Sequence, residues 1–109
     1  MDIVLTKDAE RLFALLCKSH KEKRKQGLSL EECRSLGDMF SINSEYMTGL
    51  TLEGTRLLCD ELKASGLIDF REVDGAFHMA ELTPVGISFM ESKFRRGLED
   101  ILDFLSKFL

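Results

Sequence analysis

The stretch that decides the fold runs from Thr51 to Gly86 and reads TLEGTRLLCDELKASGLIDFREVDGAFHMAELTPVG. It begins with apolar residues at helical spacing and continues with two short alternating segments on either side of Asp74-Gly75. An Asp-Gly pair in that setting favours a two-residue turn with both residues at positive φ. The stretch therefore predicts a helix, a β-hairpin and the start of another helix.

The Asp-Gly turn fixes the register of the predicted hairpin, because residues equidistant from the turn lie opposite each other. The pairs expected from the turn outward are Val73–Ala76, Glu72–Phe77, Arg71–His78 and Phe70–Met79. Alternation then puts the larger apolar side chains on one face, namely Ile68, Phe70, Phe77 and Met79. The other face holds Asp69, Arg71 and His78. The turn alone thus predicts one apolar and one polar face.

The helix before the hairpin is predicted over residues 51–65. Thr51 is a suitable N-cap and Gly66 a suitable left-handed exit. Its buried stripe is expected to contain Thr55, Leu58, Cys59 and Leu62. Its charged side chains are expected to face outward, and they are Glu53, Arg56, Asp60, Glu61 and Lys63.

Two helices are predicted upstream. The first covers residues 6–26, from the N-cap Thr6 to a stop at Gly27. The capping-box pattern from Ser29 to Glu32 predicts a second, short helix that ends near residue 36. Its inner face is expected to hold Leu30, Cys33 and Leu36. Residues 37–50 have the weakest pattern, and we expect a packed connection with one helical turn after position 43 or 44.

Downstream of the hairpin, Thr83 and Pro84 favour the start of a last helix, with Leu82 and Ile87 as a hydrophobic staple. This helix is expected to continue to the C-terminus, with a bend near Gly97. Its apolar side chains are Ile87, Met90, Phe94, Leu98, Ile101, Leu102, Phe104, Leu105, Phe108 and Leu109. They exceed one narrow stripe, which indicates an interface.

Several residues of the central stretch resemble the winged helix-turn-helix regulators of the MarR and PadR families. Leu58, Leu62, Gly66, Leu67 and Ile68 match the end of their DNA-reading helix, and Leu82, Thr83 and Gly86 match their Leu-Thr-x-x-Gly pattern. The chain also resembles small bacterial and phage proteins of the YjcQ type. The resemblance covers residues 29–90.

The resemblance implies a mainly α fold with a small two-stranded β-hairpin: three helices, the wing and a long C-terminal helix. All of it is expected to lie in a single domain over residues 1–109. The implied function is a DNA-binding transcriptional regulator, with the helix over 51–65 in the major groove and the hairpin over 67–82 as the wing. The candidate DNA-binding residues are Thr51, Arg56, Lys63, Arg71 and His78.

Regulators of this class commonly dimerise through terminal helices, and the surplus apolar surface of residues 84–109 fits that arrangement. We therefore expect a homodimer. The candidate interface residues are Phe94, Leu98, Ile101, Leu102, Leu105 and Phe108.

Charge keeps an alternative open. The expected reading helix carries the acids Glu53, Asp60 and Glu61 against only Arg56 and Lys63, although DNA affinity depends largely on cation–phosphate contacts. Residues 37–50 also separate the second and third predicted helices by more than a helix-turn-helix allows. The alternative is a winged-helix protein–protein interaction module that does not bind DNA directly.

Overall charge points the same way, since a net charge of -4 argues against a protein that simply coats nucleic acid. The segment 18–25 is locally basic, with five cations against Glu22. We interpret it as the solvated end of the first helix rather than as a phosphate site.

The remaining composition predicts no catalytic or metal site. The three cysteines fall among apolar residues, and Cys17 with His20 is interpreted as core rather than as part of a zinc site. No nucleophile motif accompanies either histidine, so we expect no enzyme, and we predict no cofactor. The chain shows no signal peptide and no segment able to span a membrane, so we expect a cytoplasmic protein without a membrane partner.

Overall fold

A computed structural model describes residues 3–109, which form six helices and a three-stranded antiparallel sheet around one hydrophobic core. The elements in chain order are α1 (Lys7–Lys25), α2 (Leu30–Arg34), β1 (Ser35–Gly37), α3 (Met39–Tyr46), α4 (Leu52–Ala64), β2 (Ile68–Val73), β3 (Ala76–Leu82), α5 (Pro84–Lys93) and α6 (Leu98–Ser106). The predicted domain also includes Met1 and Asp2, which lie outside the described residues. The mainly helical class is confirmed, whereas the predicted sheet lacked one strand.

Four helices begin at the N-caps that the sequence predicts. In each, a side-chain hydroxyl oxygen accepts from the backbone N–H three residues later, which satisfies one of the free donors of the first turn. The pairs are Thr6 with Ala9 (3.3 Å), Ser29 with Glu32 (3.2 Å), Thr51 with Gly54 (3.0 Å) and Thr83 with Gly86 (2.9 Å).

The second helix is shorter than predicted because the chain becomes extended at Ser35. Residues 35–37 form β1, which pairs with β3, so the strand order is β1-β3-β2. Arg34 supports this junction by donating from Nε to the Leu82 carbonyl oxygen at 2.9 Å. Leu36 is buried as predicted, whereas Leu30 is 61% exposed, so its placement on the inner face was wrong.

Residues 37–50 contain a helix that starts earlier and is longer than the expected single turn. Asp38 caps α3 by accepting from the Ser41 N–H at 2.8 Å. Ile42 is fully buried and Met39 is nearly so. The predicted packed connection is thus confirmed, but the helical turn expected after position 43 or 44 was misplaced.

The hairpin turn is confirmed, with Asp74 at φ 53° and Gly75 at φ 81°. The three inner pairs are also confirmed, namely Val73–Ala76, Glu72–Phe77 and Arg71–His78. The fourth pair was wrong because a β-bulge puts Met79 at φ 54° and turns its side chain outward, where it is 68% exposed. Ala80 takes its place in the core.

The prediction of a single long C-terminal helix was wrong, although a change of direction near Gly97 was expected. α5 ends at Lys93, and Gly97 has φ 69°, a left-handed conformation that few other residues adopt. α6 then packs against α1. Phe94 and Ile101 are buried in the core of the same chain, which explains why the chain turns back here.

The base of the hairpin is joined tightly to the helices. The Thr83 N–H donates to the Leu67 carbonyl oxygen at 3.1 Å, and the Thr83 hydroxyl donates to the Gly66 carbonyl oxygen at 2.5 Å. A Cβ atom at Gly86 would lie only 2.1 Å from the Leu67 carbonyl oxygen. α5 can therefore approach this backbone only with glycine at position 86.

Candidate functional site

The junction between α3 and α4 is held by one amide side chain. Asn43 Nδ2 lies 3.2 Å from the Met47 carbonyl oxygen, 3.0 Å from that of Leu50 and 2.8 Å from Thr55 Oγ1. Thr55 is completely buried, so this hydroxyl gains a partner that water cannot supply. Asn43 thus fixes residues 47–51 and the angle at which α4 follows α3. Its position, four residues before this connection begins, matches no motif that sequence reasoning could recognise.

Arg56 connects α4 to the hairpin. Its Nε lies 3.0 Å from Asp60 Oδ1, its Nη2 forms an ion pair with Glu72, and its Nη1 donates to the Gly75 carbonyl oxygen at 3.3 Å. The guanidinium carbon also lies 5.9 Å from the ring centroid of Phe77. The residue predicted to read bases is therefore occupied by contacts within its own chain.

Lys63 makes a second connection between α4 and the hairpin. Its Nζ donates to the Phe70 carbonyl oxygen at 3.0 Å, lies 3.6 Å from Asp69 Oδ1 and stands 4.3 Å from the Phe70 ring centroid. The Phe70 N–H in turn donates to Asp69 Oδ1 at 2.9 Å. Lys63, like Arg56, therefore holds the hairpin against α4.

The side of α4 opposite its buried stripe has a different character, and we call Glu53, Leu57 and Asp60 the outward face. Leu57 is 63% exposed, and both carboxylates are exposed beside it. The outward face is therefore apolar and acidic, and Asp60 at its edge also accepts the hydrogen bond from Arg56. The predicted outward position of Glu61 is only partly right, since its carboxylate accepts from the Thr6 N–H and hydroxyl at 2.7 and 2.8 Å.

The other three predicted DNA-binding residues take no part in these side-chain contacts between α4 and the hairpin. Thr51 is the N-cap of α4. Arg71 and His78 are opposite each other on the hairpin, both exposed, and Arg71 has no ion pair among residues 3–109. The pKa of Asp38 is lowered mainly by the hydrogen bond from the Ser41 N–H, with a smaller contribution from nearby His78. Of the five predicted residues, two thus hold the hairpin against α4, one caps α4 and two are exposed on the hairpin.

The predicted dimer residues divide into two groups. Phe94 and Ile101 are buried in the core of the chain and present no surface to a partner. The others are partly or largely exposed, namely Leu98, Leu102, Leu105 and Phe108. A shallow groove of about 250 Å³ runs beside them, lined by Arg11, Leu15, Leu105, Phe108 and Leu109.

The predicted core positions of the cysteines are confirmed. All three are free and buried. Burial raises the pKa of the Cys59 thiol to about 12 and also raises that of Cys17, so both are protonated at neutral pH. Across residues 3–109, His, Cys, Asp and Glu do not come together in a group of three able to hold a metal ion.

His20 lies on the basic half of α1, and its ring is almost fully buried. Its Nδ1 has no hydrogen-bond partner among the described residues. Burial lowers the pKa of His20, and Lys21, Arg24 and Lys23 lower it further, while Glu91 opposes them. The basic segment 18–25 therefore surrounds a neutral imidazole.

Comparison with protein-family models, curated proteins and solved structures found no match for this chain. No helix in the described part of the chain is long and apolar enough to cross a membrane.

Proposed function

We propose that this chain is a winged-helix domain that works as a protein-interaction module, with the outward face of α4 as its contact surface. The observation that carries the proposal is the chemistry of that face, where Leu57 is exposed between two carboxylates. Affinity for DNA depends mostly on Lys and Arg contacts with phosphate. The two cations of α4, Arg56 and Lys63, bind the hairpin instead.

The order of the elements supports the winged-helix part of the proposal. A helix-turn-helix joins its two helices through a short turn, and residues 47–51 connect α3 to α4. α3 fills most of the interval that separated the helices predicted from sequence. The hairpin follows α4 directly, in the position of a wing.

The partner that fits the outward face is a protein segment with an apolar side chain flanked by Lys or Arg. Leu57 supplies the apolar contact, and Glu53 and Asp60 supply carboxylates for the flanking cations. Further large apolar side chains are exposed on α3 and around the start of α4, namely Phe40, Leu50 and Leu52. Exposed apolar groups with a charged rim are typical of protein interfaces, where the charges add specificity.

The proposal is tested by placing a photo-crosslinking amino acid at position 53 in the natural host and identifying the crosslinked protein. The same protein should then bind the purified chain, and Leu57→Arg should weaken that binding at least tenfold, because it puts a cation where the partner's cations approach. Val85→Arg is the matched control, since it replaces an exposed aliphatic residue on α5. Equal weakening by both variants, or no crosslinked protein, would contradict the proposal.

A second candidate function is DNA binding by the same winged helix in a transcriptional regulator. It is favoured by the exposed pair Arg71 and His78 on the hairpin and by Thr51 at the N-terminus of α4, where helix dipole and free N–H groups favour phosphate. Under this alternative the hairpin carries the phosphate contacts and Arg56 and Lys63 position it.

Fluorescence anisotropy with a random 20-base-pair duplex at low and moderate salt distinguishes the two functions. DNA binding predicts an affinity that falls steeply with salt and that Arg71→Ala reduces, because each lost phosphate contact lowers the salt slope by about one. The interaction module predicts no binding even at low salt. Salt-sensitive binding reduced by Arg71→Ala would replace the first proposal by the second.

We also propose that the chain forms a homodimer through α6. Three leucines of α6 recur with coiled-coil-like spacing, namely Leu98, Leu102 and Leu105. Light scattering should give twice the mass of one chain, and Leu102→Glu should give monomers, because Leu102 is exposed at the centre of this line. A monomeric wild-type chain would exclude the dimer. The cytoplasmic location, the absence of catalysis and the absence of a cofactor stay predictions.

A further inference from the structure

We propose that Arg56 acts as a latch that couples the outward face of α4 to the position of the hairpin. A partner bound to that face would then also loosen the hairpin tip, which we define as residues 71–78. This inference rests on the proposed function, because it concerns the consequence of occupying the same face. It assigns Arg56 a positioning role in place of the predicted contact with DNA bases.

The coupling follows from the position of Asp60, which belongs to two sets of contacts at once. It is part of the outward face, and it also accepts the hydrogen bond from Arg56 Nε at 3.0 Å. The other end of the same guanidinium binds the hairpin through Glu72 and the Gly75 carbonyl oxygen. A single planar group therefore spans from the helix surface to the hairpin tip.

A cation of the partner would compete with Arg56 for Asp60. When Asp60 is engaged elsewhere, Arg56 loses the acceptor that orients its guanidinium on the helix side, and the fork geometry toward Glu72 and Gly75 is no longer fixed. Residues Arg71 to Gly75 at the tip are exposed, so the Arg56 contacts with Glu72 and Gly75 are what ties this part of the hairpin to α4. Binding at α4 would thereby be transmitted to the wing.

The latch is expected to act on the tip and not on the base of the hairpin. Lys63 holds Phe70 separately, because the Lys63 ammonium contacts both the carbonyl oxygen and the ring of Phe70. Thr83 fixes the base through the backbone carbonyls of Leu67 and Gly66. Release of Arg56 leaves both contacts intact, so the expected change is confined to residues near the turn.

Amide hydrogen exchange measured by NMR on the free chain tests the latch without any partner. Asp60→Asn should speed exchange of amides in 71–78 about two- to fivefold, the range expected for a partly exposed ion pair. Exchange near Leu67 and Leu82 should stay unchanged. Glu53→Gln is the matched control, because it removes the same charge from the outward face without touching Arg56, and it should leave residues 71–78 unchanged.

The decisive comparison uses Arg56→Gln as the background. If the coupling is carried by Arg56, Asp60→Asn should add nothing to the exchange rates of Arg56→Gln, since the link is already lost. A full additional effect in that background, or no effect of Asp60→Asn in the wild-type background, would overturn the latch. If Leu57→Arg does not weaken binding of the partner, the proposed function is overturned. The exchange rates would still show whether Asp60 acts on the hairpin tip through Arg56.

Discussion

The hairpin is held to the rest of the protein at two places, by contacts of different kinds. At its base, Thr83 donates to two backbone carbonyls and Gly86 lies against the Leu67 backbone with no room for another atom. At its tip, Glu72 forms an ion pair with Arg56, which also pairs with Asp60 of its own helix, and both carboxylates are about half exposed. The base is fixed by packing, whereas the tip is fixed by charges that water can reach.

This difference teaches where the molecule is rigid and where it can respond. Close-packed contacts do not tolerate an added methyl group without a shift of the backbone. Partly exposed ion pairs contribute little to stability and exchange partners easily. We therefore expect changes at the base to affect the free energy of unfolding strongly, and changes at the tip to affect it weakly.

The largest effect is expected for Gly86→Ala at the base. The added Cβ would lie 2.1 Å from the Leu67 carbonyl oxygen, so α5 or the strand must move. The free energy of unfolding, measured with urea, should fall by about 3 kcal/mol, the upper part of the range for overpacked sites. Gly49→Ala is the control, since nothing lies within 4 Å of its Cβ position. Equal stability of the two variants would show that the base is not limited by space.

A smaller effect of opposite sign is expected between base and tip, at Met79. Its backbone is left-handed and its side chain is largely exposed. Met79→Gly removes a backbone strain of about 1–2 kcal/mol at some cost in unfolded-state entropy, so stability should rise by about 0.5–1 kcal/mol. His78→Gly next to it relieves no such strain and should lower stability. A loss of stability in Met79→Gly would mean that its side chain packs on the bulge.

At the tip, Arg56→Ala should cost about 1 kcal/mol or less in low salt, as expected for partly exposed ion pairs. The cost should shrink further in 1 M salt, because salt screens these pairs. The free energy of unfolding should be measured with urea at both salt concentrations. Lys21→Ala is the control, because Lys21 has no ion pair among the described residues, and the difference between the two variants isolates the contribution of the Arg56 contacts. A salt-independent loss would indicate that stacking on Phe77, rather than charge, holds the tip.

The smallest effect is expected from acid, and it arises in the helices rather than in the hairpin. Burial, followed by Lys21, Arg24 and Lys23, lowers the pKa of His20 below its ordinary value. The unfolded chain therefore binds the proton more readily, so stability should fall as the pH drops below about 6.5, the unfolded-state pKa. His20→Gln should flatten this dependence between pH 5 and 8. An unchanged profile in His20→Gln would exclude this residue as the cause.

Much of the fold was predictable because local chemistry decided it. Threonine and serine N-caps fix four helix starts, and Asp74-Gly75 fixes the turn together with the three pairs beside it. The register beyond those pairs was not predictable, because a bulge at Met79 shifts it just before the residues of β3 that also pair with β1. A three-residue strand whose partner lies more than forty positions away leaves no local pattern to find.

The candidate site was less predictable than the fold, for a reason that Arg56 illustrates. Its outward position on α4 follows from helical spacing, but its acceptors in the hairpin are set by tertiary structure. The same holds for Lys63, since its hydrogen-bond acceptor is a backbone carbonyl oxygen of β2, which tertiary structure brings to it. The acids Glu53 and Asp60 were visible in the sequence, which is why the protein-interaction alternative could be formulated at that stage. Only Asp38, a ready N-cap for α3, was a local signal that the sequence reasoning missed.

The contacts around Phe70 have a consequence for the behaviour of the protein at high concentration. β2 is an edge strand, and edge strands recruit strands of other chains when their backbone groups are free. Here the Lys63 ammonium occupies the Phe70 carbonyl oxygen and the Asp69 carboxylate occupies its N–H. A foreign strand would find neither donor nor acceptor at the midpoint of this edge. The two charged side chains thus protect the β2 edge of the sheet against strand pairing with another chain.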